Sequence, residues 1–132
     1  MSTSEVITKT DLKNILEEIL PSYAKSVEDW TPSITRTTGG TLSAINGKKF
    51  GKLCCLQFVA SYSTSVAAGG NIYTGTLSNN KPILSSFGAG YFGAHSIVTQ
   101  VDSDGNITVR NASSTAVTVS SGVTCTIYYL TA

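Results

Sequence analysis

Charge is what this chain has least of. Of its 132 residues 13% are charged, about half the ~25% usual for soluble domains, and beyond residue 30 the only acids are Asp102 and Asp104. An enzyme needs titratable groups brought together, and this body offers one His, two Asp and no Glu. The expectation is therefore a protein without catalytic residues. Basic residues are scattered and the net charge is +1, so neither nucleic acid nor membrane is an expected partner. No apolar run approaches the ~20 residues of a membrane helix, and "MSTSEVITKT" lacks the basic and apolar segments of a signal peptide. A chain of this kind is expected to be made and kept in a reducing cytoplasm unless a particle carries it out. Three cysteines, an odd number, argue against a disulfide framework. Adjacent Cys54 and Cys55, in "LCCLQFV", must point to opposite faces of a strand, and neither has C-x-x-C or Cys/His spacing. Both, with Cys125, are expected to be small buried hydrophobes. Neither metal nor cofactor is expected.

What the chain has in quantity is hydroxyl: 18 Ser and 18 Thr. Its length suits one domain with at most a short appendage, and composition breaks near residue 30. Residues 1–30 hold six of the eight acids and three lysines, a net of 3 − 6 = −3, whereas the remainder carries six basic residues and two acids, a net of 6 − 2 = +4. In "TKTDLKNILEEILPSYAKSVEDW", Leu12, Ile15, Leu16, Ile19 and Leu20 fall at i, i+3, i+4, i+7 and i+8, the apolar stripe of an amphipathic helix. Thr10 or Asp11 can cap its start, Pro21 cannot continue it, and a further turn through Tyr23, Ala24 and Val27 can follow. So short a helix is marginal alone. Its stripe must lie on its own body or on copies of itself, and self-association is the expectation. The division is residues 1–32 as a helical stem and oligomerisation segment, and 33–132 as the head.

From residue 33 onward β-branched and aromatic runs alternate with turn residues, the pattern of an all-β, two-sheet, jelly-roll-like sandwich. Strands are predicted at 33–37, 41–46, 50–62, 70–76, 81–85, 91–101, 106–111, 115–119 and 123–130. Asn46-Gly47 and Asp104-Gly105 are the strongest hairpin signals. Lys48, Lys49 and Lys52 beside the first are expected to form a solvated hairpin end that blocks edge pairing. Asp102, Asp104 and Asn106 could open a calcium loop, but its sixth and twelfth positions should then be Gly and Glu and are Ile107 and Ser113. A turn is expected instead, with "SIVTQV" and "NITVRN" as its two arms.

Few residues suggest a site. A Ser–His95–Asp triad can be written on paper, yet no G-x-S-x-G elbow accompanies it. No phosphate-binding loop is present. "NIT" at 106 and "NAS" at 111 match the glycosylation acceptor pattern, which means little without a secretion signal. "SSFGAGYFGAHS" sets Phe87, Tyr91, Phe92 and His95 among glycines. Phe87 and Phe92 fit a core, whereas Tyr91 and His95, with Phe92 beside them, are the candidates for binding a ligand such as a sugar. In "TCTIYYLTA", Tyr128 and Tyr129 project to opposite faces. An outward tyrosine beside Ile127 and Leu130 points to a subunit interface, so Leu12, Ile15, Leu16, Ile19, Tyr128 and Tyr129 are the interface candidates.

The run "GKLCCLQFVASYSTSVAAGGNIYTGTLSNNKPI", the hairpin "VTQVDSDGNITVRN" and the closing "VTCTIYYL" resemble the tip, or head, domains of bacteriophage tail fibres and receptor-binding proteins, across residues 33–132. The resemblance implies a trimeric jelly-roll sandwich of the type shared with the tumour necrosis factor and complement C1q heads, following a helical stem. It also implies a virion tail location after assembly in a bacterial cytoplasm. Such heads bind host-surface saccharides or proteins and contact other tail proteins, and no binding residue carries over by motif. The expected function is a non-enzymatic, homotrimeric receptor-binding protein for a host cell-surface saccharide. The alternative is a structural virion subunit, such as a fibre, neck, baseplate or capsid decoration protein, that touches only other particle proteins.

Overall fold

In the computed structural model, which describes residues 8–14 and 27–132, nine strands form two antiparallel sheets that face each other as a sandwich. They are β1 (Val27–Trp30), β2 (Ile34–Gly39), β3 (Thr41–Phe50), β4 (Leu53–Ser61), β5 (Asn71–Leu77), β6 (Ser86–Phe92), β7 (His95–Val101), β8 (Asn106–Asn111) and β9 (Val123–Leu130). One sheet runs β1-β3-β4-β9 and the other β2-β5-β8-β7-β6. Only β3–β4, β6–β7 and β7–β8 are sequence-adjacent pairs. The remaining pairings return from distant chain, as in a jelly roll.

Strand alternation builds the core. In "LCCLQFVA" Cys54, Leu56, Phe58 and Ala60 point inward, and across the ladder so do Val123, Cys125, Ile127 and Tyr129. The other sheet supplies Tyr73, Leu77, Ile97, Val101, Ile107 and Val109. Each fully buried Leu, Ile or Phe contributes about 1.5–3 kcal/mol of transfer free energy. Cys54 and Cys125 are thus core residues whose thiols burial pushes up. Cys55 differs from expectation: it is half-buried, on the outward face.

The Asp104-Gly105 turn joins β7 to β8 as expected. Asp102 Oδ1 accepts the Asp104 and Asn106 amides at 2.9 Å each, Oδ2 accepts Asn106 Nδ2 at 3.0 Å, and the Gly105 amide donates to the Asp102 carbonyl at 2.9 Å. Burial pushes the Asp102 carboxyl up, but these donors outweigh it and hold it below the usual carboxylate range. Both of its oxygens accept donors of the turn itself. Gly105 has φ +89°, and a Cβ there would lie 2.1 Å from the Leu77 carbonyl oxygen.

Asn46-Gly47 is not a turn. β3 continues through it, with a bulge between Ser43 and Asn46 where Ala44 has φ +49°, and the turn to β4 falls at Gly51-Lys52, with Gly51 at φ +57°. Gly47 pairs with Trp30, whose indole lies where a Cβ would project, and Trp30 Nε1 donates to the Lys48 carbonyl at 3.0 Å. The glycine is required by a neighbouring ring that no local pattern reveals. β1 covers the β3 edge, with Lys48 paired to Asp29, while Lys49 donates to Asn80 Oδ1 at 3.0 Å. Lys48 and Lys49 therefore face a neighbouring strand and loop rather than an open edge, while Lys52 is exposed in the turn that closes the β3–β4 hairpin.

The predicted strand 91–101 is a hairpin, β6 and β7, bent at Gly93-Ala94. Segments 81–85 and 115–119 are single bridges, Pro82 to Thr131 and Val117 to Val66, rather than ladders. Residues 27–30, read as the end of the stem, are a strand of the sandwich. At the N-terminus, α1 (residues 9–14) is capped by Thr8 instead of Thr10 or Asp11. Thr8 Oγ1 accepts the Asp11 amide and Asp11 Oδ2 accepts the Thr8 amide, both at 3.1 Å, a reciprocal box. Ile15, Leu16 and Ile19, three of the interface candidates, lie outside the described residues, as do Leu20 to Ala24.

Candidate functional site

Two surfaces stand out, and the strand registers generate both. Val27 of β1, Phe50 of β3, Leu53 of β4 and Leu130 of β9 are direct cross-strand partners in one row. All four point outward, 44–58% exposed. The next outward row adds Cys55 and Tyr128, the latter 66% exposed. Val27, Phe50, Leu53, Cys55 and Tyr128, with the stems of Lys48 and Lys49, line a shallow groove of about 170 Å³. The patch continues past Leu130 onto the loop holding Ile83 and Leu84, where the Ile83 amide donates to the Leu130 carbonyl at 2.9 Å. These side chains together expose an apolar area on the order of several hundred Å², the size of the largest patch on an ordinary monomer.

Of the interface candidates, Tyr128 and Leu12 are outward, Leu12 at 51% exposure. Tyr129 is inside the sandwich at 4%, so its ring has no surface to give a second copy. The alternation of a strand places one tyrosine of any adjacent pair in the core, and the register selects Tyr129 because it follows Cys125 and Ile127 on the inner face. Its hydroxyl has no hydrogen-bond partner among the described residues.

The second surface is β6. Phe87, Ala89 and Tyr91 face outward, with Phe87 at 61% and Tyr91 at 74% exposure. Gly88 faces β9, and a Cβ on it would lie 2.1 Å from the Thr126 carbonyl oxygen. Glycine on the inner side thus lets the two sheets close at this corner while the rings stay outside. Phe87, expected in the core, is exposed, and Phe92 packs against the core. Phe92 is the cross-strand partner of His95, whereas Tyr91 pairs with Ser96 and points the other way. The three ligand candidates are therefore split between faces, with Tyr91 exposed and Phe92 and His95 half-buried. His95 Nδ1 lies 3.0 Å from Ser113 Oγ and 3.4 Å from Thr115 Oγ1. It stands at the start of β7 and Asp102 just beyond its end, roughly 20 Å away at ~3.3 Å per residue, so these two members of the written triad are not assembled.

Among the described residues no group of three or more His, Cys, Asp or Glu could hold a metal, and no helix is long and apolar enough to cross a membrane. Of the two glycosylation patterns, Asn106 is exposed and Asn111 is wholly buried. No family model, curated protein or solved structure matches this chain.

Proposed function

We propose that the chain is a non-enzymatic receptor-binding head of a phage or prophage tail tip, acting as a homotrimer that recognises a host cell-surface saccharide. The observation that carries the reading is the outward apolar row Val27, Phe50, Leu53 and Leu130 with Tyr128 beside it. Such a surface on a β-sandwich is the composition of an interface core, with aromatic and aliphatic residues central and few charges. Self-association leaves the strand β6 aromatics and the loop-bearing ends free to meet a receptor. The jelly-roll-like order and the resemblance of residues 33–132 to tail-fibre tips support the reading of a receptor-binding head, for which a host-surface saccharide is the proposed ligand.

Light scattering tests the assembly: a particle of three times the 13.8 kDa chain mass is expected. Tyr128→Glu should reduce it to the monomer with its circular dichroism spectrum unchanged. Fluorescent protein should then decorate host cells and compete with phage adsorption. A monomeric wild-type protein refutes the assembly, and absence of cell binding refutes the receptor role. The structural-subunit reading draws on the same apolar row, which could equally seat another particle protein. Immunolabel on the capsid or neck, rather than the tail tip, would select it.

A further inference from the structure

We infer that the glycan site is an uncharged cleft at one end of the sandwich, formed by Gly39, Gly40, Thr41, Ser61, Tyr62, Ser63 and Ser120, and that it takes a neutral saccharide in preference to an acidic one; this rests on the saccharide reading above. The cleft lies where the chain passes from β2 of one sheet to β3 of the other and where β4 ends. Its volume is about 360 Å³, at the small end of the ~300–1,000 Å³ of ligand sites. Gly40 is what lets the two strands approach: a Cβ there would lie 1.9 Å from the Ser61 carbonyl oxygen and 2.8 Å from Tyr62 Cβ.

The loops at this end, and the lining of the cleft, carry no charged side chain. Between Lys52 and Lys81, and again after Arg110, the chain has no Asp, Glu, Lys or Arg. The two loops that build this end come from those segments. Residues 61–66, "SYSTSV", and 111–122, "NASSTAVTVSSG", hold ten Ser and Thr between them. Arg36, on the strand that leads into this corner, does not line the cleft; its Nε donates to the Gly40 carbonyl at 2.8 Å and its Nη2 to the Gly39 carbonyl at 2.5 Å. A carboxylate or phosphate on a glycan would meet no charged side chain in the lining, and recognition of such groups relies on Arg or Lys. Sugar hydroxyls, by contrast, both donate and accept, and so do Ser and Thr hydroxyls. Half-buried Tyr62, packed on the core from one side, adds a ring of the kind that covers the apolar face of a pyranose.

The cleft is also held before any ligand arrives. Tyr62 N–H donates to the Val119 carbonyl at 3.1 Å, and Val66 and Val117 exchange amide bonds at 2.8 and 2.9 Å. Asn111 ties both loops together from beneath through its side-chain amide. Hydroxyls on loops pinned in this way lose little freedom on binding, which is the condition under which weak neutral contacts sum to useful affinity.

An array of immobilised oligosaccharides, neutral hexans and N-acetylhexosamine oligomers beside uronate- and phosphate-bearing ones, tests this with the full chain, Ser63→Arg and Ser103→Arg, the latter adding the same charge at the exposed β7–β8 turn. Retention of neutral glycans only, lost at least tenfold in Ser63→Arg and kept in Ser103→Arg, is expected; unchanged melting temperatures confirm that both variants fold. Binding confined to acidic glycans, or neutral binding kept in Ser63→Arg, overturns the cleft while leaving the saccharide reading intact. No binding to any glycan, alongside decoration of host cells, overturns both and transfers recognition to a protein receptor.

Discussion

Asn111 is the buried polar residue on which the loop-bearing end of the molecule depends, and its removal has a calculable cost. The side chain is 0% exposed. Its Nδ2 donates to the carbonyls of Val66 at 3.0 Å, Ala67 at 3.3 Å and Thr115 at 2.8 Å, and its Oδ1 accepts the Ser113 amide at 3.1 Å and the Ser113 hydroxyl at 2.5 Å. The carbonyls keep a second donor each: the Val117 amide for Val66, the Gly70 amide for Ala67 and Ser113 Oγ for Thr115. The Ser113 amide has no other acceptor among those described. In Asn111→Ala that orphaned N–H costs about 1–3 kcal/mol, and the lost donations add roughly 0.5–1.5 kcal/mol each, tempered by the remaining donors. The total is about 3–4 kcal/mol, a large share of the 5–15 kcal/mol that stabilises a typical domain. For a chain of this size each kcal/mol lowers the melting temperature by about 4 °C, so a fall of roughly 12–16 °C is expected. Urea unfolding followed by circular dichroism gives the free energy directly. Asn111→Asp should be worse than Ala, because a carboxylate would face three carbonyl oxygens. A loss below about 1 kcal/mol with an unchanged denaturant slope, or an Asp variant as stable as the wild type, would show that backbone bonds alone hold the two loops and would refute the reasoning.

Four further outcomes follow from the geometry. Gly105→Ala forces a Cβ onto the Leu77 carbonyl at φ +89° and should cost about 2–3 kcal/mol, read as a melting shift; a neutral result would mean the turn can relax. Tyr129→Phe removes a buried hydroxyl that has no partner among the described residues and should be neutral or stabilising by about 1 kcal/mol; because burial pushes that hydroxyl well above the ordinary value near 10, wild-type stability should fall as pH rises past about 10, where the unfolded chain ionises and the folded one does not, and the Phe variant should lose less. Asp102, held below its usual range, contributes stability above about pH 4 that is lost on further acidification; Asp102→Ala should cost about 1–2 kcal/mol at pH 7 and flatten that acid limb, and an acid limb as steep as the wild type's would count against the turn's role. A thiol reagent should reach Cys55 well before Cys54 and Cys125, checked by mass spectrometry of the partly labelled protein, with simultaneous labelling of all three indicating that the core opens.

The sequence by itself determined the fold class, because burial and strand period are written in the same residues. The β-branched and aromatic runs broken by glycines mark short strands whose alternation must bury one face, and Asp104-Gly105 carries its turn within four residues. Pairing was decided elsewhere. Asn46-Gly47 reads as a hairpin from local preference alone, but Trp30, seventeen residues away in sequence, pairs with Gly47 and fills the space above it, so the strand continues. The candidate sites were legible only as residue types. "YF" at 91–92 and "YY" at 128–129 announce that one ring of each pair is inside, without stating which, since that choice belongs to register. The apolar row Val27, Phe50, Leu53 and Leu130 comes from four separate strands, and the charge-free cleft from three chain segments. Neither exists in any window of sequence, because each is assembled by contacts between residues that only the tertiary fold makes neighbours.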